Sequence, residues 1–174
     1  MFFDEFGYSF LEPLGHTWAP RGHPPILRRV TRQRRELSTA VGLTLSGKIY
    51  KCHFEHSIKG PDIITALQHI QRHVRGRTVL VWDRAPTHKA CTVSEYLATQ
   101  ADVYVEWLPG YAPEINPEEY CHGNAKQHLK NATPADKGQV RKMLDREFAR
   151  IRHRPDLILG FFHHAGLILQ RDFL

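Results

Sequence analysis

The sequence predicts an α/β domain, a mixed sheet flanked by helices with further helices at the C-terminal end. Three observations predict it. The continuous apolar run Thr78-Val79-Leu80-Val81-Trp82 has the character of a strand buried on both faces. Apolar residues recur at helical spacing before and after that run. A strand–helix–strand order follows, which implies parallel pairing because parallel strands need a crossover connection. At 174 residues the chain fits one domain, residues 1–174, long enough to bury most of its apolar surface.

The elements follow in order. Phe2-Phe3-Asp4 reads as the end of a buried strand. Residues 15–25 are rich in Gly and Pro, hold Trp18, Arg21 and His23, and carry too much turn punctuation for a helix. Residues 37–45 are apolar and β-branched, Ser46-Gly47 signals a turn, and residues 49–54 resume the strand pattern, together a hairpin. Gly60-Pro61 opens a helix with proline at its first position, where a missing N–H costs nothing. Ile63, Leu67, Ile70 and Val74 give it one buried face, and Gly76 closes it.

The apolar run ends at Asp83; a helix over about 88–100 and a strand over 103–108 complete the parallel unit, with Trp82 and Trp107 assigned to the core. Residues 109–117 are loop, with three prolines and a glycine. A helix begins at Asn116-Pro117 and runs to about Lys130. Thr133-Pro134-Ala135-Asp136 marks the next start, with Thr133 as cap and Pro134 first. Val140, Leu144, Phe148 and Ile151 line one face of that helix, and a last short one follows Pro155 and ends near Gly166.

Composition narrows the partners. No apolar run approaches the roughly 18 residues that span a bilayer. The opening Met1-Phe2-Phe3-Asp4-Glu5 lacks the basic and apolar regions of a signal peptide, so a cytoplasmic location with no membrane partner is expected. Twenty-four Lys+Arg against 18 Asp+Glu give a net charge of +6, which favours a polyanion. The pairs Cys52-His53 and Cys121-His122, with Cys91 alone, show neither a disulfide framework nor zinc spacing.

Three acids carry the chemistry. Asp83 sits where a buried strand emerges at the carboxyl end of the sheet, the end at which active sites of α/β proteins collect. Asp4 bears the same relation to the first strand. On neighbouring strands two such acids repel unless a cation lies between them. Phosphodiester chemistry uses such carboxylates to hold two hard cations that clamp the attacking and leaving oxygens. A plainer reading stands beside each. An Asp after a strand is often a turn-former or cap. Glu119 falls third in its helix, where a capping-box Glu reaches back to the cap N–H. Glu118 is its rival, about 100° around the helix.

Four segments together resemble a known family. Residues 79–88, Val-Leu-Val-Trp-Asp-Arg-Ala-Pro-Thr-His, resemble the second-Asp motif Asp-Asn-Ala-Pro-x-His of DDE transposases. Residues 107–119, Trp-Leu-Pro-Gly-Tyr-Ala-Pro-Glu-Ile-Asn-Pro-Glu-Glu, resemble Leu-Pro-x-Tyr-x-Pro-x-Leu-Asn-Pro-x-Glu. Residues 3–7 resemble the first-Asp strand, and residues 17–22 its accompanying Trp-x-x-x-Gly segment. The family is the bacterial insertion-sequence transposases of the mariner superfamily. Its RNase H-like (retroviral-integrase-like) fold is the expected architecture, and its pattern selects Glu119 over Glu118.

The resemblance implies that Asp4, Asp83 and Glu119 are catalytic and bind two Mg²⁺ or Mn²⁺ ions, cutting double-stranded DNA and transferring its strands with no covalent protein–DNA intermediate. It implies element ends and a TA dinucleotide target as partners, and a homodimer as the assembly. Trp18, Arg21, Arg84, His88, Lys89, Lys126 and Lys130 are the candidate DNA contacts. Arg84 replaces the usual Asn, and is expected to pair with Asp83 or to meet phosphate. The helix-turn-helix region of longer relatives is not among these residues, which suggests a separately encoded catalytic half or a fragment. Two rivals remain: another RNase H-like nuclease, which lacks the Asn-Pro-x-Glu helix start, and a remnant acting only as a DNA-binding module.

Overall fold

The computed structural model describes residues 1–10, 14–28 and 36–169. Its central sheet has five strands in the order β3-β2-β1-β4-β5: β1 (Phe2–Ser9), β2 (Glu36–Leu43), β3 (Ile49–Phe54), β4 (Thr78–Trp82) and β5 (Val103–Trp107). β1, β2 and β3 pair antiparallel, whereas β4 pairs parallel with both β1 and β5. The helices are α1 (Gly60–Gln71), α2 (Cys91–Ala98), α3 (Pro117–His128), α4 (Lys137–Arg152) and α5 (Pro155–His164), with a 3₁₀ turn at Pro113–Ile115. This is the mixed sheet of an RNase H-like catalytic domain. Among the described residues no helix is long and apolar enough to cross a membrane.

Strand alternation sends the two faces of β1 into two cores. Phe2, Phe6 and Tyr8 pack against Val140, Leu144 and Phe148 of α4 and Phe162 of α5. Phe3 joins Leu80, Trp82, Ile63 of α1 and Val93 of α2 on the other face. Asp4 therefore faces the α3–α5 layer and Glu5 the opposite one.

The structure corrects several expected boundaries. Asp4 lies inside an eight-residue strand rather than at the end of a short one. Pro61 is the second residue of α1, after Gly60. α2 starts at Cys91 rather than near His88, because the chain after Asp83 first makes a turn in which Asp83 Oδ1 accepts from the Ala85 N–H at 3.0 Å. α4 is capped by Asp136 rather than Thr133: the Asp136 carboxylate accepts from the Gln139 N–H at 2.8 Å, and Gln139 Oε1 accepts from the Ala135 N–H. β4 is not buried on both faces, since α3 and α4 pack over β1, β2 and β3 and leave Val79 and its cross-strand partner Tyr104 open. For the same reason of position Trp107, on the edge strand, is 40% exposed, while Trp82 is fully buried.

Candidate active site

The register of β1 and β4 brings the two aspartates together. Phe2 is opposite Val81 in a parallel ladder. Advancing two residues on each strand places Asp4 level with Asp83, just past the end of β4 and on the same face. Glu119 arrives from α3. Asn116 caps that helix, its Oδ1 accepting from the Glu118 N–H at 3.1 Å. The Nδ2 of the same amide donates to Asp4 Oδ2 at 2.9 Å, so the cap also ties α3 to β1. Asp4, Asp83 and Glu119 thereby line one cleft of about 600 Å³, rimmed by Arg84, Lys89 and Tyr111.

The carboxylates are crowded. Burial, then the charges of Glu118 and Glu119, raise the Asp4 carboxyl to about 8. Glu119 is lowered, first by its hydrogen bond from His122, whose Nε2 stands 3.0 Å from Glu119 Oε2. His122 Nδ1 donates to Glu118 Oε2 at 2.8 Å, and its ring stacks on Phe6 at 4.8 Å. Burial pulls His122 down, but Glu118 and Glu119 outweigh it and push the imidazole up to about 10. Glu118 is fully buried, is raised chiefly by that burial, and has an Oε1 with no hydrogen-bond partner among the described residues.

On the other side, His88 Nδ1 hydrogen-bonds the Asp83 main-chain carbonyl at 3.2 Å and lies 2.7 Å from Asp83 Oδ1, while Nε2 lies 2.6 Å from Glu5 Oε1. The ring stacks on Trp82 at 4.3 Å and 12°. Burial lowers His88, but the Glu5 hydrogen bond and charge, with Asp83, raise it overall.

The expected DNA-contact residues separate into groups. Arg84 and Lys89 are exposed on the cleft rim. Arg84 makes no ion pair with Asp83 among the described residues; Asp83 turns to His88 and the Ala85 N–H instead. His88 is 1% exposed and both its ring nitrogens are engaged, so burial removes it from the set of DNA contacts. Trp18 and Arg21 are exposed on the segment before β2, outside the cleft lining. Lys126 is half-buried with Nζ 6.0 Å from the Phe6 ring centre. Lys130 is exposed beyond the end of α3, its side chain against Gly15.

Four residues of the site escaped the sequence reading. Glu5 and His122 have a signal in hindsight, a second acid beside Asp4 and a histidine three and four residues after Glu119 and Glu118. Asn116 was read as a cap only. Tyr111 has a φ of +59° and a fully exposed side chain at the cleft, a strained conformation of the kind that clusters at functional sites.

The donor set suits a hard divalent cation. All three acids offer oxygen, the chemistry Mg²⁺ and Mn²⁺ take. Asp4 is raised first by burial and then by the charges of Glu118 and Glu119, and a cation in place of its proton would relieve that crowding. Among the described residues no three His, Cys, Asp or Glu side chains are clustered tightly enough to enclose a metal as they stand.

Comparison with known proteins gives the same frame. The chain matches the solved "Crystal structure of the mariner Mos1 paired end complex with Mg" with a TM-score of 0.67 at 21% identity, covering 97% of this chain and 56% of that one. The "Mos1 Strand Transfer Complex" matches at 0.64 and 22%, covering 97% and 55%. The "catalytic domain of Mos1 mariner transposase" matches at 0.57 and 16%, covering 97% and 84%. This chain thus spans about half the length of the first two. No curated protein sequence matches it. The family model described as DDE superfamily endonuclease matches residues 1–141, and the chain belongs to that family.

Proposed function

We propose that this chain is the catalytic part of an insertion-sequence DNA transposase, cleaving DNA strands and transferring their ends in a divalent-metal-dependent reaction. The observation that carries the reading is the convergence of Asp4, Asp83 and Glu119 on one cleft from two adjacent parallel strands and a capped helix. Asp4, Asp83 and Glu119 would hold two Mg²⁺ or Mn²⁺ ions. Bound there, such ions supply Lewis-acid stabilisation of a phosphoryl oxygen and activation of a hydroxyl nucleophile.

The chain's own residues do the rest. Arg84 and Lys89 at the rim hold backbone phosphates on either side of the scissile one. Tyr111 offers its exposed ring as a stacking surface for an unpaired base. Asn116 fixes the Asp4 carboxylate on one oxygen while the Glu5 N–H donates to the other at 2.7 Å. Trp18, Arg21, Lys126 and Lys130 extend the basic surface beyond the cleft.

The partners in this reading are double-stranded DNA element ends and a TA dinucleotide target, met by a homodimer in the cytoplasm. The similar Mos1 structures, a paired-end complex and a strand transfer complex, support the DNA partner.

The test is nicking of terminal-repeat DNA by the full chain in Mg²⁺ or Mn²⁺, beside Asp83→Asn. Metal-dependent nicking lost in the variant supports the site. Nicking that survives the substitution rejects it, and binding without nicking in either metal leaves a DNA-binding module.

A further inference from the structure

Two arrangements around the cleft have the same parts. On one side Glu5 holds His88, which holds Asp83; on the other Glu118 holds His122, which holds Glu119. Each imidazole contacts a carboxylate through each ring nitrogen, at 2.6 and 2.7 Å in the first chain and 2.8 and 3.0 Å in the second. Each ring lies nearly flat on an aromatic neighbour, Trp82 at 12° and Phe6 at 20°. A ring held at both nitrogens and stacked on one face resists rotation, so it fixes the acid it touches, at Asp83 through the main-chain carbonyl as well as the carboxylate.

We propose that Glu5–His88 and Glu118–His122 are two positioning relays that pre-orient Asp83 and Glu119, and that they set how tightly the cleft grips a divalent cation. This rests on the metal-site reading above. Groups that hydrogen-bond a metal's ligands from behind tune metal affinity about 10–100-fold. Here the imidazole is that outer group, and the carboxylate in front of it is the ligand. Asp4 lacks such a relay and is held instead by Asn116 and a backbone N–H.

A purely structural role would make the same residues matter to folding alone, so the test separates the two. Mn²⁺ binding to the DNA-free full chain is measured by isothermal titration calorimetry for the unsubstituted protein, His88→Gln, His122→Gln and Glu5→Gln. Val140→Ala, a core change in α4 away from the cleft, serves as the control for lost stability. The relays predict a 10–100-fold weaker Mn²⁺ affinity in each histidine variant. They predict a smaller loss in Glu5→Gln, whose amide oxygen still accepts from His88, and unchanged affinity in Val140→Ala. Unchanged affinity in both histidine variants, or an equal loss in Val140→Ala, overturns the proposal. Absence of Mn²⁺ binding by the unsubstituted chain overturns the metal-site reading itself. Should His122→Gln fail to fold, the His88→Gln and Glu5→Gln pair still decides the matter.

Discussion

Glu5 and Glu118 each stand behind a histidine, but in different surroundings. Both rings are buried, but the side chain of Glu5 keeps 14% of its surface and that of Asp83 49%, so the two acids that flank His88 both reach water. Glu118 keeps none, and its Oε1 has no hydrogen-bond partner among the described residues. A charge removed from water costs several kcal/mol unless it is matched, so the fully buried Glu118 depends on His122 more than the partly exposed Glu5 depends on His88. The histidine contact therefore stabilises the fold strongly through Glu118 and weakly through Glu5, while the benefit to the cleft is alike on both sides.

The largest effect should ignore the difference between the sides. Asp83→Asn and Glu119→Gln should each lower the strand-cleavage rate about 10³-fold, since several kcal/mol of charge stabilisation depends on the ligand set. Single-turnover rates on nicked and intact repeat DNA measure this.

Next comes the asymmetry. His122→Gln should destabilise the metal-free chain by about 3–5 kcal/mol, the cost of breaking a buried pair and leaving one charge unmatched. His88→Gln should cost about 1.5–3 kcal/mol, the range of one charged hydrogen bond. Denaturant unfolding of both variants decides it, and equal losses would break the comparison.

pH sharpens it further. The folded His122 is raised to about 10, above its unfolded value near 6.5. Its contribution is thus complete below 6.5 and is lost as pH rises towards 10. Asp4 adds to the same trend: raised from 3.8 to about 8, it resists ionising in the fold, so stability falls as pH climbs between those values. The melting temperature of the metal-free chain should drop between pH 6.5 and 10, and the part due to His122 should vanish in His122→Gln.

The smallest effects lie at the rim. Arg84→Ala and Lys89→Ala should leave stability within about 0.5 kcal/mol and each reduce the slope of log affinity against log salt by about 1. DNA titrations at several ionic strengths measure the slope.

Much of the fold was legible because local signals and topology agreed. The apolar run before Asp83, the hairpin at Ser46-Gly47 and the Asn116-Pro117 start each sit where the pattern put them. Boundaries slipped where a side chain competed with the backbone signal. Asp136 took the cap from Thr133 through its bond to Gln139, and Asp83 drew Ala85 into a turn that delayed α2. Trp107 and Val79 were misread because apolar character does not reveal which part of a sheet the later helices cover. The site was legible in its acids, which stand in motif-bearing segments. Its supports were not, because Glu5 meets His88 across 83 residues, a contact created by the β1–β4 pairing alone.

The most direct test of the account is anomalous diffraction from crystals of the chain grown with Mn²⁺. Manganese peaks are expected in the cleft within inner-sphere distance of carboxylate oxygens of Asp4, Asp83 and Glu119, with His88 and His122 still bound behind Asp83 and Glu119. Manganese bound elsewhere, or a cleft in which the three acids stay apart with the ion present and DNA is still cut, would contradict it.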